Sequence, residues 1–80
     1  MGFAKDEDEL RDRLSTFLKV ELKRAGVTYG EHAKRLAKHG LKGETDISVK
    51  NKVLRGTYPA TFLIASLAAL EREGLRLEDV

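Results

Sequence analysis

Eighty residues, 41% hydrophobic and 35% charged, fit one small domain with a thin core. Without cysteine the chain has no disulfide, thiolate zinc site or thiol nucleophile, and its longest apolar run, 62–70, falls well short of the roughly 18 residues a membrane span requires. The net charge of +2 hides a bias: residues 1–12 carry −3, residues 13–56 carry +7 and residues 57–80 carry −2. A basic middle between acidic ends suits a polyanionic partner as well as a plain solvated helical surface.

Residues 1–9 read as a flexible acidic N-terminus and residues 10–80 as a single domain. An acidic start argues against a signal peptide, and a cytoplasmic location is expected. A first helix is predicted over about 7–25, because Leu10, Leu14, Phe17, Leu18, Leu22 and Ala25 recur at three- and four-residue spacing. The run Asp6–Glu9 suits the positive end of its dipole, and Gly26 is its natural stop.

Thr28 and Glu31 have the spacing of a capping box and open a second helix ending at Gly40. Tyr29, Ala33, Leu36 and Ala37 form one of its faces, and Lys34, Arg35 and Lys38 the other. A loop over 40–46 leads to a third helix over about 46–55, capped by Thr45 or Asp46 and stopped by Gly56. Pro59 fits the first turn of a fourth helix, about 59–72, ended by Gly74. That helix is apolar on nearly every side and is expected to be buried, centrally or against a partner. Leu75, Leu77 and Val80 then fall in a final short turn closing the core. No strand, repeat or linker is apparent, so the fold class is all-α with four to five helices.

This order of one long helix, two short ones joined by a turn and a greasy fourth resembles the Cro/repressor-type, lambda-repressor-like helix-turn-helix domains. GVTYGEHAKRLA at 26–37 is similar to the entry into the first helix of that motif. KVLRG at 52–56 resembles the end of its recognition helix, with Val53 as the recurring hydrophobic residue. PATFLIASLAALEREGLRLEDV at 59–80 is similar to the last helix and its acidic-hydrophobic tail. The chain also resembles a small bacterial domain family of uncharacterised function with this type of motif. The resemblance covers about 18–80 and implies a helix-turn-helix at about 28–55. Three features depart from the pattern. The stretch Leu36–Gly56 is about three residues longer than usual; Val49 precedes Val53 by four residues where three is usual; and His32 stands where the family buries a leucine.

On a helical wheel Ser48, Asn51, Lys52 and Arg55 share one face of the third helix, opposite Val49 and Val53, and that face is all hydrogen-bonding or cationic, with no carboxylate. Such a face suits the major groove: Asn matches adenine, Lys and Arg match guanine, and Ser reads little. Lys50, near the buried edge, is placed to reach a phosphate. Free N–H groups at the start of the second helix, with Thr28 and the Tyr29 hydroxyl, suit a backbone phosphate, although a cap plus a core aromatic explains them equally. Lys34, Arg35, Lys38 and Lys42 are further phosphate candidates, or simply solubilising charges.

GLKG at 40–43 has the G-x-x-G pattern of KH domains, but that fold requires a sheet. His32 and His39 lack the partners a metal site demands, and His32 reads as a half-buried side chain with one hydrogen bond. The serines have no visible base partner, so neither enzyme activity nor a cofactor is expected. The resemblance implies a DNA-binding transcriptional regulator, dimeric through the fourth helix and Leu75, Leu77 and Val80. The alternative is a protein-interaction module on the same fold that never touches DNA.

Overall fold

Asp6 accepts a hydrogen bond from the Glu9 amide and so starts the first helix of the computed structural model, which describes residues 2–80. This helix, α1 (Glu7–Ala25), carries Glu7, Asp8 and Glu9 at its positive end and Lys23 and Arg24 at its negative end. It therefore takes in three residues of the segment expected to be flexible. Gly26 ends it in the left-handed conformation (φ 69°), donating its N–H to the Leu22 and Lys23 carbonyls.

Thr28 caps α2 (Tyr29–Ala37), accepting from the Glu31 amide at 3.1 Å. Only half of the expected capping box forms, because the Glu31 carboxylate swings forward to Arg35 at 3.2 Å. Helix α2 also stops three residues before Gly40. His39 and Leu41 both donate to the Leu36 carbonyl, so the chain folds back and Leu41 packs against the core. Thr45 caps α3 (Asp46–Arg55) in a complete box in which the Thr45 hydroxyl accepts from the Ser48 amide and Ser48 Oγ accepts from the Thr45 amide. Pro59 stands at the N-cap of α4 (Ala60–Ala69), one residue before its expected place. That helix ends well before Gly74, because Glu71 adopts φ 58° and the Arg72 amide returns to the Leu67 carbonyl at 2.8 Å. A 3-10 turn over Leu77–Asp79 follows, and no strand occurs among the described residues.

These four helices make a compact all-α domain. Helix α3 packs on both α1 and α2, and α4 packs on α2. The core is built from Phe17, Leu18 and Leu22 of α1, Val27 of the connection that follows it, Ala33 and Leu36 of α2, Val49 and Val53 of α3, and Phe62, Ala65, Leu67 and Ala69 of α4. Leu10, at the outer end of the α1 stripe, stays exposed. Of the two expected ways of burying α4, central burial within the chain is incomplete: Phe62, Ala65, Ser66, Leu67 and Ala69 face inward, while Ile64 is 65% exposed. Leu77 is also exposed, and only Leu75 and Val80 of the tail close on the core.

His32 is fully buried rather than half-buried. Its Nε2 lies 2.9 Å from Ser66 Oγ of α4, and its ring meets Phe62 edge-on. The C-terminal end of α3 is pinned to α1. Ser15 Oγ donates to the Leu54 carbonyl at 3.2 Å, and Tyr58 Oη donates to the Leu14 carbonyl at 3.2 Å. Between these bonds Gly56 (φ 67°) lies so close to α1 that an added Cβ would overlap the Arg11 carbonyl. Burial pushes the Tyr58 hydroxyl up to about 12, so it remains a donor at ordinary pH.

The tail is drawn back by Arg72. Its guanidinium donates to Glu21 of α1 at 2.8 Å, to Asp79 at 2.6 Å and to the Gly74 carbonyl at 2.8 Å, and lies 5.3 Å from the centre of the Phe17 ring.

Candidate nucleic-acid interface

Val49 and Val53 are fully buried, and this sets the rotation of α3. Asn51 stands diametrically opposite them on the wheel, and the outward line runs through Ile47, Asn51, Leu54 and Arg55. Asn51 and Arg55 are thus exposed, as is Lys50 on one flank, and none of the three has a side-chain partner among the described residues. Ile47 (66% exposed) and Leu54 (44%) share this face, although sequence reasoning passed over both. The signal for them was present: they lie seven residues apart, on the side away from the two valines.

Ser48 and Lys52 are placed differently. Both are half-buried on the other flank, where Glu44 reaches over from the loop. Ser48 Oγ donates to one Glu44 oxygen at 2.7 Å, and Lys52 Nζ donates to the other at 2.6 Å. Lys52 also lies 5.4 Å from the centre of the Phe62 ring. The face expected to lack a carboxylate therefore receives one from outside the helix. Partial burial raises the Glu44 carboxyl, but the hydrogen bonds from Lys52 and Ser48 and the Lys52 charge outweigh it and hold the group below its ordinary value. Nothing in the α3 sequence signals Glu44, because it arrives through the loop.

The N-terminal ends of α2 and α3 lie side by side. Gly30 and Asp46 approach so closely that a Cβ on Gly30 would touch that of Asp46 at 3.6 Å. The groove between them is lined by Thr28, Tyr29, Gly30, Asp46, Ile47 and Lys50. It unites three of the expected phosphate-binding residues, Thr28, Tyr29 and Lys50, beneath two positive helix ends. It also holds the Asp46 carboxylate, which accepts from the Ile47 amide at 2.9 Å.

Lys34 lines the next groove, with Gly43, Glu44 and Thr45. Lys34, Lys38 and Lys42 are exposed and form no ion pair among the described residues, whereas Arg35 is tied to Glu31. Lys19 and Lys23 of α1 are likewise unpaired. His39 is exposed and far less enclosed than His32, and no three His, Asp or Glu side chains among the described residues converge as a metal site would require. No helix among them is long and apolar enough to cross a membrane.

No curated protein and no solved structure matches the chain. One family model matches residues 10–75, from the α1 apolar stripe to the segment after α4, and on that match the chain belongs to the family described as a domain of unknown function, DUF6471.

Proposed function

We propose that the chain is a helix-turn-helix protein of the Cro/repressor type that binds double-stranded DNA and regulates transcription in the cytoplasm. Helix α3 enters the major groove, and the start of α2 rests on the backbone. The observation that carries this reading is the outward face of α3. It presents Asn51, Lys50 and Arg55 without partners among the described residues, beside the groove where the N-terminal ends of α2 and α3 meet. Asn51 and Arg55 read bases, Lys50, Thr28 and Tyr29 hold phosphate, and Lys34, Lys38 and Lys42 extend the cationic rim. Ser48 and Lys52 join them once Glu44 yields its hold. A two-fold dimer would use the exposed side of α4 around Ile64.

The test is fluorescence anisotropy of a labelled mixed-sequence duplex, first at low salt and then with salt added. Binding should weaken by a slope of about −0.9 per phosphate contacted, and further in Asn51→Ala and Arg55→Ala. A folded protein that fails to bind at low salt refutes the reading. The second reading, a protein-interaction module, draws on the exposed Ile47 and Leu54 and would show a partner affinity that barely responds to salt.

A further inference from the structure

The outward line of α3 is not purely polar. Ile47 and Leu54 lie seven residues apart, about 10.5 Å along the helix axis, with Lys50 and Asn51 between them. A protein hot spot gathers its apolar side chains in a contiguous centre and leaves the polar groups at the rim. Here the order is reversed, with a polar centre, apolar residues at either end, and the unpaired cations Lys50 and Arg55 alongside. The cations exclude an apolar protein face as the best match and suit phosphates. The amide of Asn51 suits the paired acceptor and donor on adenine, and the thymine C5-methyl is the one apolar group on the base edges of the major groove.

Resting on the DNA-binding reading above, we infer that this face selects A·T pairs by their thymine methyl groups. Ile47, the second residue of α3, covers one methyl, since the N-terminal residues of a groove helix reach the base edges. Leu54 covers a second about two base pairs away, because residues spaced about this far along a groove helix meet the outer two of three successive bases. Asn51 takes an adenine between them.

Enrichment of a random duplex pool on the full chain at low salt would supply the probes. The tightest duplexes are then rebuilt with deoxyuridine in place of thymidine, which removes only the methyl. The enriched duplexes should share A·T pairs, and their uracil copies should bind about fourfold more weakly per contacted methyl, the worth of one buried methylene-sized group. Ile47→Ala and Leu54→Ala, both at exposed positions and checked for helix content, should bind thymine and uracil copies more nearly alike while keeping the parent's salt slope. Equal binding of thymine and uracil copies by the parent overturns the methyl reading and leaves DNA binding standing. No enrichment by a folded chain overturns both.

Discussion

Acid should destabilise this domain through His32. The Nε2 of His32 is taken by Ser66, and its Nδ1 is the one buried side-chain nitrogen or oxygen without a partner among the described residues. A neutral ring with its proton on Nε2 leaves only an unfilled acceptor at Nδ1. A protonated ring would bury a charge and an unpaired N–H together. Burial, with a smaller contribution from the Arg35 charge, accordingly lowers His32 from 6.5 to about 4. The unfolded chain takes up this proton near 6.5 and the folded chain only near 4, so the unfolded state holds more protons between those values. Stability from this group is therefore complete above 6.5 and is lost as pH falls through the window to about 4. The loss is about 3 kcal/mol, a large part of the roughly 4–12 kcal/mol expected of a domain this size. Urea unfolding from neutral pH down to about pH 4 should show it. The double variant His32→Leu, Ser66→Ala removes the ring and its partner together and should stay much flatter over the same range. Parallel loss in parent and double variant would refute the reasoning, as would an NMR titration of His32 with an ordinary midpoint.

Glu44→Gln removes the carboxylate that holds Lys52 and should tighten DNA binding in the anisotropy titration at low salt; an unchanged affinity would show that Lys52 reaches no base. Gly56→Ala should cost about 3 kcal/mol or more, since it combines a positive φ with overlap on the Arg11 carbonyl, and thermal melting would reveal a milder effect if α1 and α3 can part there. Glu71→Gly should stabilise the fold by up to about 1 kcal/mol by relieving the left-handed backbone that ends α4, and a lowered melting temperature would count against strain at that site.

The ends of α1 and α3 were legible in the sequence because their signals are local: Thr45 before α3, and glycines in the left-handed conformation at 26 and 56. The C-terminal end of α4 was not, because tertiary packing decides it, and at α2 the glycine signal only marks the reversal that follows the last helical turn. Gly40 does make the left-handed reversal (φ 98°) through which Leu41 turns back onto the core, whereas Arg72 is pulled toward Glu21 before Gly74 is reached. The candidate site was half legible. Val49 and Val53 already place Asn51 and Arg55 outward, but choosing polar residues for the exposed face favoured Ser48 and Lys52 over Ile47 and Leu54. Glu44 was beyond reach, since its position depends on the path of the loop. The complete burial of His32 was hidden as well, because its partner Ser66 lies 34 residues away.

Arg72 holds Glu21, Asp79 and the Gly74 carbonyl while covering Phe17, and Arg13 adds a bond to the Val80 carbonyl at 3.4 Å, so charged groups fasten residues 70–80 beside the packing of Leu75 and Val80. Charged contacts dominate there, whereas packed methyl and phenyl groups dominate the four helices. The two parts of the molecule therefore answer to different solvents. Rising ionic strength loosens the tail while slightly strengthening apolar burial, and urea weakens both. The tail should therefore open ahead of the helices, its amides exchanging with solvent before those of α1 and α3.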